Sequence, residues 1–221
     1  MNYRVVEKFI SINGEGLKAG KLSTFIRFAG CNLNCVYCDT KWANEENVKY
    51  TLMTENEIYS YIKETGVKNV TLTGGEPLLQ NNIKELLSLL SSNNDLNVEI
   101  ETNGSINLEA FLDYKNMPSF TMDYKLPDSG METFMKTSNF KFLTMKDVIK
   151  FVVSSLKDLE KVTELIKEFK LTHKTNVYIS PVFGKISPET IVEFMKNNKL
   201  NDVTLQIQIH KIIWNPNKRG V

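Results

Sequence analysis

All three cysteines of this 221-residue chain lie within one short segment, Cys31-Asn-Leu-Asn-Cys35-Val-Tyr-Cys38. This spacing constrains the fold, because the segment has to gather three thiols around one site. A 4Fe-4S cluster usually takes four thiolates, one for each iron, so three cysteines leave one iron open to a ligand that is not protein. The segment therefore predicts an iron-sulfur site that does chemistry rather than only carry electrons.

Zinc binding, a disulfide and inert burial each account for the three cysteines less well. Structural zinc normally needs a fourth Cys or His at close spacing, and the two histidines, His173 and His210, lie far downstream. A disulfide needs oxidising surroundings, whereas the cysteine count is odd and the N-terminus has no signal-peptide pattern. Three inert, buried thiols are the remaining alternative, although the clustering of every cysteine argues against chance.

The composition describes the setting without identifying the function. With 42% hydrophobic and 24% charged residues, the chain can bury one substantial core, and we expect a single domain over residues 1–221. The net charge is +1 and lysines alternate with glutamates, so a nucleic-acid-binding surface is not expected. The lack of a signal sequence or a long apolar run predicts a cytoplasmic protein without a membrane span.

Strand-like and helix-like segments alternate along the chain, which predicts an α/β fold of repeated βα units around a parallel sheet. Two helix starts are marked, one by Thr54 with Glu57 as a capping box and one by Ser187 with Pro188. The predicted strands are 23–30, 68–73, 96–102, 119–125, 148–153, 176–180 and 202–209, with loop or lid insertions at 41–53 and 126–145.

Polar residues share one face of these strands, because side chains alternate between the two faces of a strand. The face that carries Arg27 also carries Cys31, so the arginine is expected to point toward the cluster. A barrel whose interior serves only as a packed core would fill it with apolar residues. The polar residues on this face therefore predict a polar ligand chamber. Internal pairs, such as Asp123 with Lys125 or Arg27 with Glu99, and contact with solvent at the rim stay open as alternatives. The other polar residues on this face are Thr71, Thr73, Glu101, Lys150, Thr204, Gln206, Gln208 and His210.

A second motif, Gly74-Gly75-Glu76-Pro77, follows the second predicted strand. Taken alone it fits an ordinary tight turn, although glycines also let backbone groups approach a ligand closely. Together with the three cysteines it resembles the radical S-adenosylmethionine (SAM) superfamily. The resemblance implies a modified, incomplete (β/α) radical-SAM barrel with short cap insertions. It also implies that SAM chelates the open iron and yields a 5'-deoxyadenosyl radical on one-electron reduction.

The superfamily resemblance extends to residues that bind SAM. The loop around the last cysteine usually contacts the adenine, and the glycine turn and the ends of the third and fourth strands add further contacts. The implied positions are Tyr37, Asp39, Gly75, Glu76, Glu101, Asp123 and Lys125.

A narrower resemblance involves residues before and after the cluster. The chain is similar to the 7-carboxy-7-deazaguanine synthase family at residues 11–16, Gly20, Phe25, Arg27, Gly30, 31–33, 38–40, 206–216 and 219–221. The resemblance implies a carbon-nitrogen lyase that converts 6-carboxy-5,6,7,8-tetrahydropterin to 7-carboxy-7-deazaguanine with loss of ammonia, on the route to queuosine and other 7-deazapurines. It also implies magnesium (Mg2+), a homodimer, and a flavodoxin or ferredoxin as electron donor.

The substrate contacts implied by this family suit the chemistry of a pterin acid. Arg27 offers a guanidinium fork that can hold the substrate carboxylate through two hydrogen bonds. The backbone of Ile12, Asn13 and Gly14 is implied to bind the amide-like edge of the pterin. Glu15 would accept hydrogen bonds from the amino and ring N–H groups.

Two threonines complete the implied site. Thr73 is a further substrate contact, and Thr40 supplies a hard hydroxyl oxygen for Mg2+, although without the resemblance it reads as a turn residue. The chain departs from the family twice. Many members have Gln at the position of Asn13, which leaves open whether this residue contacts substrate by side chain or backbone. Other members have Ser-Pro-Lys where this chain has Asp-Tyr-Lys at 123–125.

Two other functions stay open on the sequence. A glycyl-radical-enzyme activating enzyme shares the cysteine spacing, but its protein substrate gives no need for Arg27 or for the Gly14-Glu15-Gly16 segment. A non-catalytic iron-sulfur sensor would not need the glycine turn or a polar chamber. Because the cofactor carries the radical, no catalytic side chain is assigned. His173, His210 and Trp214 are expected to have structural roles.

Overall fold

The structure is a computed structural model that describes residues 2–221. Within this range, nine strands form one sheet. They are Tyr3–Ile12 (β1), Leu22–Phe28 (β2), Thr51–Met53 (β3), Asn69–Gly74 (β4), Asn97–Thr102 (β5), Ser119–Tyr124 (β6), Val148–Val153 (β7), Asn176–Pro181 (β8) and Val203–Leu205 (β9). Their order across the sheet is β3-β1-β2-β4-β5-β6-β7-β8-β9.

The sheet is a partly closed parallel structure with an antiparallel extension. β2 and β4 to β9 pair in parallel, whereas β1 is antiparallel to both β2 and β3. Among the described strands, β3 and β9 are the two ends of the sheet and do not pair with each other. This arrangement confirms the expected α/β fold with an incomplete barrel. The α-helices are Glu55–Thr65 (α1), Ile83–Ser91 (α2), Leu156–Phe169 (α3), Pro188–Asn198 (α4) and His210–Ile213 (α5).

All seven predicted strands are present, but the last one is shorter than expected. β9 ends at Leu205, so Gln208 and His210 do not continue an alternating strand face. The side chain of Gln206 is instead bound to the backbone of Gly16, which lies on a distant loop. The Gln206 backbone N–H still donates to the Ile179 carbonyl on β8 at 2.8 Å, so the pairing with β8 stops just beyond Leu205.

The sequence analysis missed β1 and β3. β1 contains a register shift between Val5 and Glu7, which interrupts the period-two pattern that marks a strand. β3 has only three residues and lies in the segment 41–53 that was expected to be a loop. Neither strand therefore produces a strong periodic signal.

Both predicted helix starts are confirmed by their capping hydrogen bonds. At α1, the Thr54 hydroxyl accepts from the Glu57 backbone N–H at 3.2 Å, and the Glu57 carboxylate accepts from the Thr54 N–H at 2.7 Å. At α4, the Ser187 hydroxyl accepts from the Thr190 N–H at 3.0 Å. These side chains satisfy donors that the first helical turn leaves without partners.

The two faces of the parallel strands have different chemistry, as the sequence pattern predicts. Apolar residues such as Leu72 and Ile100 are fully buried beneath the helices. The opposite face carries Thr71, Thr73 and Glu99, which are buried as well but lie inside the barrel. The barrel interior is therefore polar, and it leads to the end of the sheet where the parallel strands finish.

The segment 126–145, expected to be a loop or lid, is a packed support for the cysteine loop. It contains three short 3-10 turns, at Pro127–Ser129, Glu132–Phe134 and Thr137–Lys141. The ring of Phe140 is buried and lies 5.7 Å from the ring of Tyr124 on β6. The carbonyl of Ser129 accepts from the Val36 N–H at 3.0 Å, which ties the segment to the cysteine loop.

Among residues 2–221, no helix is both long enough and apolar enough to cross a membrane.

The apolar face of β4 is expected to dominate the stability of the sheet. Leu72→Ala should lower the free energy of unfolding by about 2–5 kcal/mol, because it leaves a cavity in a fully buried layer. The matched control is Leu52→Ala, since Leu52 is 53% exposed and its truncation should change stability by less than about 0.5 kcal/mol. Urea unfolding of both variants provides the measurement, and equal losses would contradict the assignment of the core.

Candidate active site

A cavity of about 620 Å³ lies at the carboxyl end of the parallel strands. Its volume lies in the range of small-molecule sites, and this edge of a parallel sheet is where such folds bind ligands. The cysteine loop, the glycine turn and charged residues from β5, β6 and β7 line it together. We call this cavity the chamber.

The three cysteines form one wall of the chamber. Cys31, Cys35 and Cys38 all line it, and all three are free thiols. Burial raises the pKa of Cys35 and Cys38 above the ordinary thiol value. The backbone N–H of Leu33 donates to the Cys31 sulfur at 3.4 Å. Three thiols on one wall, with no fourth cysteine in the chain, fit a cluster that keeps one iron available to a ligand.

The glycine turn lies directly against the cysteine loop. A Cβ on Gly75 would overlap the carbonyl oxygen of Gly30 and the side-chain oxygen of Asn44, so this position accommodates only glycine. The Asn44 oxygen is buried and, among the described residues, has no hydrogen-bond partner. Gly75 and Asn44 both line the chamber. A polar ligand with an N–H donor fits this corner, as the amino group of SAM requires.

Glu76 stands behind the chamber wall rather than on it. Its carboxylate is fully buried and accepts from the backbone N–H groups of Leu78 at 3.0 Å and Asn103 at 2.7 Å, and from the Thr102 hydroxyl at 3.0 Å. Burial raises the pKa of Glu76 to about 7, although these donors favour the charged form. Its contacts join the glycine turn to the end of β5.

Four charged side chains form a continuous network across the chamber. The Lys150 ammonium lies 2.8 Å from Glu15 Oε2 and 3.6 Å from Asp123 Oδ2, and Lys125 lies 2.8 Å from the same Asp123 oxygen. The Asp123–Lys125 pair considered from the sequence is therefore present. Burial acts to lower the pKa of Lys150, but the Glu15 and Asp123 carboxylates outweigh it and raise that pKa. Lys150 was expected on this face, but sequence reasoning assigned it no role.

Two atoms of this network have no internal partner. Within the described residues, Glu15 Oε1 and Asp123 Oδ1 are buried and accept no hydrogen bond. Buried carboxylate oxygens without a donor are costly, because burial removes the water that would solvate them. Both residues line the chamber, so the two oxygens are available to donors on a bound ligand.

Arg27 lines the chamber but does not pair with Glu99, the partner considered from the sequence. Its Nε donates to Glu7 Oε2 on β1 at 3.0 Å. Glu99 instead accepts from the Thr121 hydroxyl at 2.5 Å and from the Asn13 amide at 3.0 Å. The unpredicted strand β1 supplies the partner of the arginine, so the Arg27–Glu99 pair, one of the alternatives that the sequence left open, does not form.

Asn13 points away from the chamber. Its side chain is 2% exposed, donates to Glu99 and accepts from the Thr71 hydroxyl at 2.9 Å. Its neighbours Ile12 and Gly14 line the chamber, whereas Asn13 does not. These contacts occupy the side-chain amide, and the Asn13 N–H and carbonyl are bound to Lys21 and Gly20. Within 12–14, the main-chain groups of Ile12 and Gly14 are therefore the ones that can face a ligand.

The remaining predicted residues lie along the chamber wall. The Tyr37 hydroxyl donates to the Val152 carbonyl at 3.1 Å, and the Thr40 hydroxyl donates to Asp39 Oδ1 at 3.0 Å. Burial raises the pKa of Glu101, opposed by Lys150. Of all the predicted site residues, only Asn13 and Glu76 do not line the chamber, and those that line it are Ile12, Gly14, Glu15, Arg27, Cys31, Cys35, Tyr37, Cys38, Asp39, Thr40, Thr73, Gly75, Glu101, Asp123 and Lys125.

Sequence reasoning aligned Gln208 and His210 with the chamber face, and both line the chamber, but it assigned no role there to residues 211–221. His210 lines the chamber and packs so closely on Gly14 that a Cβ there would overlap its ring. The Lys211 ammonium lies 3.1 Å from Asp39 Oδ2, and the Arg219 guanidinium lies 4.0 Å from the centre of the Trp42 ring. Residues 216–221 also line the chamber. Such contacts join positions far apart in sequence, so no local pattern reveals them.

The fold and site define a radical SAM protein, and comparison with known families agrees. The family profile described as "Radical SAM superfamily" matches residues 25–197. The chain therefore belongs to this superfamily, whose members hold a 4Fe-4S cluster and SAM.

Full-length relatives define the family more narrowly. The chain is 81% identical to a 7-carboxy-7-deazaguanine synthase from Clostridium acetobutylicum over 221 residues, which is 100% of both chains. It is 34% identical to the enzyme of that name from Leptospira interrogans, over 98% of this chain and 97% of the relative. This chain thus belongs to the 7-carboxy-7-deazaguanine synthase family. The crystal structure of QueE from Escherichia coli shares the fold, with a TM-score of 0.72, 22% identity and 94% of each chain covered.

Lys150 is expected to stabilise the chamber electrostatically. Lys150→Met should lower the free energy of unfolding at pH 7 by about 3–5 kcal/mol, because it leaves the buried Glu15 carboxylate without its cation and Asp123 with Lys125 alone. Lys146→Met is the matched control, since Lys146 is exposed. Urea unfolding measures both, and equal stability of the two variants would refute the pairing.

The pH dependence of the stability difference between the native protein and Lys150→Met gives a second check of this ion pairing. Folding raises the pKa of Lys150. The stabilisation that Lys150 contributes is therefore complete below its unfolded pKa of about 10.4 and is lost as pH rises through the folded pKa. The stability gap between the native protein and Lys150→Met should therefore hold between pH 7 and 9 and narrow above that. A stability difference that widens as pH rises above 9 would contradict a raised pKa of Lys150 in the folded protein.

Proposed function

We propose that the chamber binds 6-carboxy-5,6,7,8-tetrahydropterin, and that the chain converts it to 7-carboxy-7-deazaguanine with loss of ammonia in queuosine and 7-deazapurine biosynthesis. The observation that carries this proposal is the position of Arg27 and Glu15 in one cavity with the three cysteines. A pterin acid presents an anionic carboxylate and several N–H donors. The chamber offers a guanidinium for the carboxylate and unpartnered carboxylate oxygens for the N–H donors.

Arg27 would hold the substrate carboxylate. Its Nε is engaged by Glu7, and this bond orients the planar guanidinium within the chamber wall. A guanidinium fixed in this way can bind a carboxylate through two parallel N–H groups, which a lysine cannot do. Thr73 is the register partner of Arg27 on β4, so its hydroxyl would lie beside the same substrate.

The loop at 12–15 would bind the pterin ring. Backbone groups of Ile12 and Gly14 would bind its amide-like edge, while Asn13 anchors the loop from behind through Glu99 and Thr71. Glu15 Oε1, which has no internal donor among the described residues, would accept from the amino and ring N–H groups. Lys150 holds the other Glu15 oxygen and so orients this acceptor.

Cys31, Cys35 and Cys38 would hold the 4Fe-4S cluster, and SAM would lie between the glycine turn and the ends of β5 and β6. When bound and reduced, the cluster and SAM supply hydrogen-atom abstraction from the substrate. The side chains bind and orient the ligands and exclude water. The residues proposed to contact SAM are Tyr37, Asp39, Gly75, Glu101, Asp123 and Lys125, and Glu76 would support them through Asn103.

We further propose that Thr40 binds Mg2+ together with the substrate carboxylate. A hydroxyl is a hard oxygen donor, and Mg2+ commonly completes its octahedron with substrate oxygens and waters. Bound there, Mg2+ would polarise and orient the carboxylate. Removal of Mg2+ should then weaken turnover in the native protein and have little further effect in Thr40→Val.

The proposed setting is cytoplasmic, with residues 1–221 acting as one domain and two copies forming a homodimer. A flavodoxin or ferredoxin is proposed to deliver the electron. These features follow the family resemblance and are testable by sedimentation and by reduction with purified donors.

Anaerobic reconstitution tests the substrate directly. The cluster-loaded protein, given dithionite, SAM, Mg2+ and the tetrahydropterin, is expected to form 7-carboxy-7-deazaguanine detectable by mass spectrometry. Absence of this product with a spectroscopically verified cluster would reject the substrate. Release of 5'-deoxyadenosine without the product would instead favour a glycyl-radical-enzyme activating enzyme.

Substitution of Arg27 tests the carboxylate contact. Arg27→Ala should raise the substrate KM by roughly 10- to 150-fold, the cost of losing a hydrogen bond to a charged group, while the cluster absorption stays unchanged. Arg4→Ala is the matched control, because Arg4 stacks on Tyr50 outside the chamber. An unchanged KM in Arg27→Ala, measured by steady-state kinetics, would rule out this contact.

A further inference from the structure

The Cys31 sulfur accepts a hydrogen bond from a side chain as well as from the backbone. The backbone donor is the N–H of Leu33, at 3.4 Å. The side-chain donor is the amide of Asn103, whose Nδ2 lies 3.5 Å from the sulfur. In the described part of the chain, Asn103 is the only residue whose side chain donates to a cysteine sulfur. It reaches Cys31 from the end of β5, far away in sequence.

The orientation of the Asn103 amide is determined by its other contacts. Its Oδ1 accepts from the backbone N–H of Ser105 at 3.0 Å and from the Ser105 hydroxyl at 2.6 Å. A backbone N–H can only donate, so the atom that faces it must be the amide oxygen. The nitrogen therefore faces Cys31, and its second hydrogen bond goes to Asn32 Oδ1 at 3.1 Å.

The backbone of Asn103 is also held firmly. Its N–H donates at 2.7 Å to the carboxylate of Glu76, which is fully buried. Asn103 itself is 6% exposed, so water does not compete effectively for its amide. The third residue of the Gly-Gly-Glu-Pro turn thus anchors the residue that donates to the first cysteine.

An N–H donor to a cluster sulfur changes the reduction potential. Reduction adds negative charge, which spreads onto the thiolate sulfurs, and a donor stabilises the reduced form more than the oxidised form. Hydrogen bonds to sulfur are among the factors that determine where a cluster lies in the wide range of iron-sulfur potentials. A buried, oriented amide is suited to this because it needs no reorganisation when the charge arrives.

We propose that Asn103 tunes the cluster: its side-chain amide donates an N–H···S hydrogen bond to Cys31 in the loaded protein and raises the reduction potential. The electron comes from a low-potential one-electron donor, and the amide makes its transfer to the cluster more favourable. The inference rests on the cluster at the three cysteines and is independent of the identity of the substrate.

Redox titration of the cluster-loaded protein, followed by EPR without pterin, tests the proposal. Asn103→Ala should lower the midpoint potential so that the equilibrium constant for reduction falls about tenfold, equal to about 59 mV for one electron. Asn34→Ala is the matched control, because it removes an exposed amide of the same cysteine loop whose side chain makes no hydrogen bond to Asn103 or Ser105. Its equilibrium constant should stay within about twofold of the native value. No shift in Asn103→Ala, or equal shifts in both variants, would overturn the proposal.

A measurement on the unsubstituted protein covers the case in which a variant fails to take up the cluster. With asparagine labelled by 15N only at the side-chain amide, pulsed EPR of the reduced cluster should detect a 15N coupling. The coupling should persist in Asn34→Ala. Its absence from the unsubstituted protein would disprove the hydrogen bond. Neither measurement requires turnover, so a wrong substrate assignment would leave both results interpretable.

Discussion

The parallel register of β2, β4, β5, β6 and β7 is the constraint on which the rest of this structure depends. It places Arg27 beside Thr73 and Asp123 beside Lys150 on neighbouring strands. Since parallel strands all finish at the same edge, the loops that follow them meet there. The cysteine loop after β2 and the glycine turn after β4 are therefore in contact, although more than thirty residues separate them.

Charged groups inside a polar barrel need ion-pair or hydrogen-bond partners, and in this barrel most of their atoms have one. Lys150 neutralises Glu15, Lys125 neutralises Asp123, and Asn13 with Thr121 satisfies Glu99. Among the described residues, four buried side-chain atoms have no partner, and three of them, on Glu15, Asn44 and Asp123, are acceptor oxygens of residues that line the chamber, where a ligand with donors would lie. The same residues that stabilise the fold thus leave a defined set of unmet hydrogen bonds, and that set specifies what the chamber can bind.

Much of this organisation was predictable from local sequence. Alternation of side chains identified the parallel strands and the polar face, and the capping residues at Thr54 and Ser187 identified two helix starts. Local sequence did not show which distant residues pair with one another. Arg27 pairs with Glu7 rather than Glu99, because β1 lies against β2 and was not recognised as a strand. β9 ends at Leu205, and the Gln206 side chain beyond it binds Gly16, a contact that local alternation does not show.

The sequence by itself determined the chemistry of the parts: three thiols for a cluster, a glycine turn that admits a close ligand, and one polar face on each strand. These depend on residue type and short-range spacing, which a chain carries before it folds. Only the tertiary structure decided the pairings, such as Lys150 with Glu15, Asn103 with Cys31 and His210 with Gly14. Each of these joins residues far apart in sequence, and their contact exists only when hydrophobic burial has set the order and register of the strands.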